Sequence, residues 1–158
     1  MKMEQPAQYL PFRINDTWYA APMEYVSYII AASEGFLKCS LPKSPPYITW
    51  VMSIRNRLIP VIEWNLLHSA GTDPASIRQR PLILILSRQN SLLGLLTDEI
   101  DPPREFPSQD CGQAPVSSET ILTRGADRYT LFDVPQFYLS VASGQPAADG
   151  HRNQKELI

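Results

Sequence analysis

The sequence predicts an all-β protein built from many short strands. Fifteen prolines and seven glycines divide the 158 residues into short segments, and turn signals at such intervals favour strands over long amphipathic helices. Apolar residues make up 44% of the chain and charged residues 19%, which is typical of a folded globular protein. The length suffices for one domain, or for two small barrels that share one core.

Ten segments carry the apolar pattern of strands bounded by turn residues. Asn15-Asp16 and Gln89-Asn90 fit hairpin turns between neighbouring strands, and Ser44-Pro45-Pro46 fits an extended or turned connector. The predicted strands are Tyr9–Ile14, Trp18–Ala21, Tyr25–Ile30, Phe36–Leu41, Trp50–Arg55, Leu58–Ile62, Leu82–Ser87, Leu92–Asp98, Ile121–Arg124 and Tyr129–Phe132.

Two short helices are predicted, each directly after a strand. Trp64–His68 is expected to end near Gly71, a residue suited to a helix C-terminus. Val134–Ser140 has Pro135 in its first turn and Asp133 as its N-cap, which are favoured positions for both residues.

The segment Ser53–Glu63 indicates a hairpin with an arginine at its tip. Asn56 tolerates the left-handed conformation that a two-residue turn requires. Pro60 cannot donate to a ladder, so its strand is expected to lie at a sheet edge or to begin there. Arg55, held at a rigid tip beside an open edge, indicates a surface that docks another protein and not a catalytic centre.

The same pattern recurs towards the C-terminus. Ser53–Leu67 and Ile121–Leu139 each predict a strand, an arginine-containing turn, a second strand, an acid and a short helix. The acid is Glu63 in the first unit and Asp133 in the second. The repeat predicts two similar barrels packed side by side.

Charge and motif content exclude several function classes. The net charge is −2 and no Lys/Arg run is present, which argues against nucleic acid. Cys39 and Cys111 lie far apart, which predicts reduced thiols in a cytosolic protein. His68 and His151 are too isolated for a metal site. The sequence contains no Gly-rich phosphate loop and no catalytic constellation, so we predict neither an enzyme nor a cofactor.

The termini and the apolar runs predict no membrane insertion. The first six residues lack the apolar centre of a signal peptide. The longest strongly apolar run, Leu82–Leu86, is too short to span a bilayer. Residues 144–158 contain little apolar content and predict a frayed tail.

Seven motifs follow one another in an informative order and spacing. They are Tyr19–Pro22, Val26–Ile29, Leu41-Pro42, Pro46–Ile48, Ser53–Glu63, Leu93–Asp98 and Arg124–Val134. Together they resemble the CheW family, whose CheW-like domains are scaffold modules of bacterial chemosensory systems. The resemblance covers about residues 8–142, which leaves 1–7 and 143–158 as expected flexible tails.

Four positions depart from the family's usual pattern. Its hairpin signature is usually Asn-Leu-Arg-Gly, followed by a proline and then Asp-Leu. Here Ser53 replaces the Asn and Asn56 the turn Gly, while Trp50 stands where the family has a glycine and Tyr28 where it commonly has an acid. Asn56 is a sensible replacement because it accepts a positive φ. We therefore expect a divergent member whose partner surface has been rewritten.

The resemblance implies two five-stranded β-barrels around one core, with a few short helices. It also implies a cytoplasmic adaptor without enzymatic activity, clustered at receptor arrays through its partners. Those partners are the regulatory domain of a CheA-type histidine kinase and the cytoplasmic hairpin tip of a methyl-accepting chemoreceptor, which enters a groove between the barrels. By position, the partner-binding residues are Arg55, Asn56, Ser53, Trp50, Val26 and Tyr28.

Several residues leave alternatives open. Arg55 either binds a partner's acid or pairs internally with Glu63 across the hairpin. Trp50 either fills the core, as tryptophan usually does, or anchors a partner. Alternation along the third strand places Val26 and Tyr28 on one face, and Tyr28 with its neighbour Tyr25 is a candidate aromatic docking patch.

The function also has alternatives. One is an accessory CheW-like modulator of twitching motility, in a type IV pilus chemosensory system with altered partners. Another, of a different class, is a small β-barrel that binds a ligand or single-stranded nucleic acid. That alternative requires a basic groove with exposed aromatic residues, and the acidic balance disfavours it.

Overall fold

The structure, a computed structural model, describes residues 7–33, 37–39, 45–68, 80–106, 121–124 and 126–143. Two helices follow strands: α1, Trp64–His68, and α2, Val134–Ser143. The strands are β1 Ala7–Ile14, β2 Thr17–Pro22, β3 Val26–Ala31, β4 Leu37–Cys39, β5 Ile48–Ile54, β6 Arg57–Ile62, β7 Leu82–Arg88, β8 Ser91–Thr97, β9 Glu99–Ile100, β10 Arg104–Phe106, β11 Ile121–Arg124 and β12 Asp127–Leu131.

The predicted elements are present within the described ranges. Each of the ten predicted strands overlaps an observed one, and both helices occur where the sequence placed them. Two short strands, β9 and β10, and a 3-10 turn at Met23–Tyr25 were not predicted, because segments of two or three residues carry no periodicity. Gly71, Cys111, His151 and both expected tails fall outside the described residues, except for Ala7 in β1 and Ser143 in α2.

Two six-stranded sheets repeat one strand order. The first runs β10-β1-β2-β12-β11, with β9 also pairing β1, and the second runs β3-β7-β8-β6-β5-β4. In the first sheet, the β1–β2 hairpin pairs with the β11–β12 hairpin through a short parallel ladder between β2 and β12. In the second sheet, the β7–β8 hairpin pairs with the β5–β6 hairpin through a parallel ladder between β8 and β6. The five-strand pattern therefore occurs twice, with β9 or β4 added. Between the described strands no ladder joins the two ends of either sheet, so the barrels are open.

The strand that contains Pro60 lies inside its sheet, which corrects the expectation of an edge. β6 pairs with β5 on one side and with β8 on the other. Pro60 lies opposite Val51, and the parallel ladder to β8 is recorded only from Val61 onwards. The missing N–H therefore falls just before the residues that pair with β8, where a proline is tolerated.

The core has a central part and one part for each sheet. The central cluster joins both sheets and both helices, with Phe12 from β1, Leu84 from β7 and Phe137 from α2. The cluster of the second sheet, which we call the second core, includes Met52, Ile59 and Ile83, and the first sheet has its own around Phe106. The two β units thus share one core, as the sequence predicted.

One buried cation joins the two sheets at the start of the segment that leads into β7. The side chain of Arg80 is 1% exposed and lies between Glu63, which follows β6, and Asp98, which follows β8. Its Nε donates to Glu63 Oε1 at 3.1 Å, and its Nη1 donates to Asp98 Oδ2 at 2.5 Å. Its Nη2 donates to Asn15 Oδ1 at 2.9 Å, so the guanidinium reaches the β1–β2 turn of the other sheet.

Both carboxylates receive further donors. The Asn15 N–H donates to Asp98 Oδ2 at 2.7 Å, and the Asn65 N–H at the start of α1 donates to Glu63 Oε2 at 3.1 Å. The side-chain amide of Asn15 donates to Asn65 Oδ1 at 2.9 Å. Buried charges are tolerated when they are paired and hydrogen-bonded, and this network, the Arg80 network, meets that condition.

We expect Arg80→Met to lower the free energy of unfolding by about 3–5 kcal/mol, because it leaves Glu63 and Asp98 buried without their cation. Urea unfolding followed by circular dichroism measures the change. Arg13→Met is the matched control, since Arg13 pairs with the half-exposed Glu99 at 3.2 Å and an exposed pair contributes about 1 kcal/mol or less. Equal small losses in both variants would contradict the assignment.

Candidate functional site

The tip of the β5–β6 hairpin is a two-residue turn made of Arg55 and Asn56. Ile54 and Arg57 close it, and the φ angles of the two turn residues are 50° and 64°. Two positive φ angles identify a type I′ turn, which matches the right-handed twist of the flanking strands. The sequence predicted this conformation for Asn56 but not for Arg55. The turn fixes the backbone and leaves both side chains exposed.

Arg55 lies over the ring of Tyr28, with its guanidinium carbon 5.7 Å from the ring centroid. Tyr28 is 37% exposed and belongs to β3, at the far end of the same sheet, so the sheet curls until the two residues meet. The predicted internal pair of Arg55 with Glu63 is wrong, because Glu63 binds Arg80 instead. Contact between Arg55 and a partner's acid remains a prediction.

A bulge in β3 separates two residues that simple alternation placed on one face. Val26 lies opposite Leu86, but Tyr28 lies opposite Ile85, so Ser27 is an extra residue. Val26 packs against the central cluster, whereas Tyr28 pairs with Ile85, a residue of the second core. The prediction that Val26 and Tyr28 lie on one face of the strand is therefore wrong, because a bulge shifts the alternation of side chains by one residue.

Two other predicted residues lie along β5 below the tip. Trp50 is half-buried and packs against the second core, as the core-filling interpretation expected. Ser53 is half-buried opposite Leu58. Tyr25 is half-buried against the central cluster, so the expected aromatic patch is reduced to Tyr28.

The structure adds two exposed apolar side chains that sequence reasoning missed. Leu58 follows the hairpin turn and is 71% exposed, and Ile29 follows Tyr28 and is 49% exposed. Each was assigned to a strand without a judgement of which face met solvent. Leu58 thus exposes a large apolar side chain next in sequence to the closed end of the Arg55-Asn56 turn, and Ile29 exposes one next to Tyr28 in β3.

A cavity of about 170 Å³ lies away from this surface, against α1 and α2. Aromatic rings dominate its lining, among them Trp64, Phe132 and Phe137. Burial lowers the pKa of His68 at its rim. His68, Asp133 and Ser140 also line the cavity, but no described hydrogen bond pairs them as a nucleophile and its base would require. Among the described residues no group of three or more His, Cys, Asp or Glu side chains converges as a metal site would require.

No helix within the described ranges has both the length and the apolar character needed to cross a membrane.

We expect Arg55 and Tyr28 to stabilise each other by about 0.5–1 kcal/mol, the range for an exposed cation–π contact. A double-mutant cycle with Arg55→Gln, Tyr28→Leu and the combined variant measures this coupling from urea unfolding. Tyr28→Phe is the control, because it keeps the ring and should preserve the coupling. A coupling free energy indistinguishable from zero would contradict the contact in solution.

We expect Trp50→Ala to lower the free energy of unfolding by about 3 kcal/mol, the lower end of the range for removing a large aromatic side chain from a core. Ser53→Ala, three residues further along β5, is a control with an expected change within about 0.5 kcal/mol. Chemical unfolding of both variants measures the difference. A loss below about 0.5 kcal/mol for Trp50→Ala, with altered partner binding, would instead identify an exposed anchor.

Comparison with known proteins places this geometry in a family. A family model described as the CheW-like domain matches residues 8–129. A curated relative, Protein PilI of Pseudomonas aeruginosa, is 25% identical over 96 residues, which cover 61% of this chain and 51% of PilI. The chain thus spans about half the length of that relative.

A solved structure shares the fold. The scaffolding protein TtCheW from Thermoanaerobacter tengcongensis aligns with a TM-score of 0.65 and 14% identity, over 82% of this chain and 90% of that one. The family model covers well over half of the 158 residues, including the Arg55 hairpin and the parallel ladder between β6 and β8. The chain therefore belongs to the CheW-like domain family.

Proposed function

We propose that this chain couples chemoreceptors to a CheA-type histidine kinase in the cytoplasm by binding both at once. Membership of the CheW-like family supports an adaptor, and the likeness to a scaffolding protein is consistent with that role. Two simultaneous contacts raise the effective concentration of one partner near the other. The adaptor holds them in a fixed geometry and performs no chemistry.

The observation that carries the proposal is the exposed hairpin tip. Arg55 and Asn56 occupy a conformationally fixed turn, and the exposed Leu58 follows directly. A cation and an apolar side chain on a rigid support are suited to a protein partner, because little side-chain and backbone freedom is lost on binding. The receptor tip is the proposed partner for this surface, and the kinase regulatory domain is proposed to bind elsewhere on the fold.

The likeness to PilI favours a particular branch of this function. We propose that the chain serves a type IV pilus chemosensory system, as one of its CheW-like adaptors. The departures at Tyr28 and Trp50 support a receptor surface that differs from the usual one, since Tyr28 engages the signature arginine through its ring. Recruitment to receptor arrays at the membrane then follows from the partners.

Calorimetric titration against the regulatory domain of the source organism's CheA-type kinase tests the coupling function. Micromolar or tighter binding is the expected result, which corresponds to about −8 kcal/mol or better. Absence of binding by a protein that is folded by circular dichroism would contradict coupling to that kinase, and would redirect the search to other partners.

We expect Arg55→Glu to weaken binding of a receptor's cytoplasmic fragment about tenfold, or about 1.4 kcal/mol, without abolishing cooperative melting. The reversed charge repels an acidic partner, and an exposed tip contributes little to the stability of the fold. Arg128→Glu is the matched control, because Arg128 is exposed on β12 of the other sheet. Loss of cooperative melting in Arg55→Glu would show a structural role instead.

A further inference from the structure

In the second sheet, the hairpin turns and the two buried acids lie at opposite ends of the parallel strands β6 and β8. Because the two strands run in the same direction, their hairpin turns, Arg55-Asn56 and Gln89-Asn90, lie at one end of the sheet. The acids that follow these strands, Glu63 and Asp98, lie at the other end, where Arg80 neutralises them. Arg55, Arg57 and Arg88 therefore lie at the end with the turns, away from Glu63 and Asp98.

The described arginines of the protein differ in whether they pair with a carboxylate. Arg13, Arg80 and Arg104 each form an ion pair with a described carboxylate. Within the described ranges, Arg57 and Arg88 form none. Arg55 forms none either, but it is engaged with the Tyr28 ring. Arg57 and Arg88 are thus the cations at this end that remain available for an incoming carboxylate.

Arg57 and Arg88 act on the same small region. Arg57 Nη2 donates to the carbonyl of Asn90, at 2.5 Å, which ties one hairpin turn to the other. Arg88 closes the second turn opposite Ser91. The hydroxyl of Tyr138 from α2 donates to the Ser91 carbonyl at 2.7 Å, so the helix is fixed against this turn.

The charges of both arginines reach the Tyr138 hydroxyl. They act to lower its pKa, although burial outweighs them and raises the pKa of Tyr138 to about 12. The phenol therefore stays neutral at physiological pH, and it contributes no negative charge that would compensate the two guanidinium groups. Both arginines lie at the Gln89-Asn90 turn, since Arg57 donates to the Asn90 carbonyl and Arg88 closes the turn.

Two exposed apolar side chains are next in sequence to residues of this region. Leu58 follows Arg57 and is 71% exposed, and Leu139 follows Tyr138 on α2 and is 60% exposed. Large apolar side chains exposed beside cations are typical of a contact for an amphipathic protein segment. A polyanion such as nucleic acid would call for a longer cationic track and stacking rings.

We infer that Arg57 and Arg88, with Leu58 beside them, form a carboxylate-recognising surface for an acidic amphipathic helix of the receptor. This two-turn surface extends the site beyond Arg55 and rests on the proposed coupling function. Arginine suits the task because its planar fork binds carboxylates bidentately. In this chain the signature arginine, Arg55, lies over Tyr28, and the two arginines of the turns extend the recognition of acid beyond it.

Binding of the cytoplasmic fragments of the source organism's chemoreceptors, at 50 and 300 mM salt, tests the inference. We expect the wild-type affinity to fall with salt, and Arg57→Glu/Arg88→Glu to lose at least about tenfold at low salt with a flatter salt dependence. Arg128→Glu is the control and should match the wild type. Arg57→Gln/Arg88→Gln, which only neutralises the charges, serves if the reversed pair fails to fold.

The other possible outcomes test the two-turn surface and the coupling function. Receptor binding that is equal in the wild type and in both double variants would overturn the two-turn surface and leave the coupling function standing. No binding of any receptor fragment by the wild type would overturn both the two-turn surface and the coupling of receptors, whatever the kinase titration shows. Binding to phosphatidylglycerol vesicles that depends on Arg57 and Arg88, without receptor binding, would show a membrane contact instead and overturn the helix as occupant.

Discussion

The buried guanidinium of Arg80 binds two carboxylates of one sheet and the Asn15 turn of the other. A charge with 1% exposure is stable only if all its donors are met, so the positions of Glu63, Asp98 and Asn15 are coupled through it. Glu63 also accepts the N–H of Asn65 and thereby orients α1. Through these contacts the second sheet, the first sheet and the first helix form one block. An adaptor that transmits geometry between two partners depends on such a block, since a loose joint would leave only proximity.

The second consequence of the fold is the duplication of the parallel ladder. In each sheet a hairpin strand ends beside a strand of the same direction, and a helix follows at once. The acids that close these strands have separate roles in the two copies. Glu63 is buried and binds Arg80, whereas the exposed Asp133 accepts the Gln136 N–H and caps α2. The acid of the second copy thus begins a helix, while the acid of the first joins the two sheets.

The sequence predicts local structure well and long-range contacts poorly. The hairpin at Asn56, the cap at Asp133 and the repeated unit follow from nearby residues, because turn and cap preferences act over a few positions. The interior position of Pro60's strand depends on a parallel pairing with a strand some thirty residues away. Arg80 follows a polar segment that carries no pattern, and its partners come from three separate parts of the chain. The β3 bulge at Ser27 breaks the alternation by which Val26 and Tyr28 were assigned to one face.

We propose that the block formed around the Arg80 network presents two separate surfaces that are occupied at the same time. Analytical ultracentrifugation of this chain with the kinase regulatory domain and a receptor cytoplasmic fragment, alone and together, measures this most directly. We predict a complex that contains all three proteins, in which the affinity for the kinase domain is unchanged or increased by the receptor fragment. Displacement of one partner by the other would show a single shared surface and would contradict the adaptor mechanism.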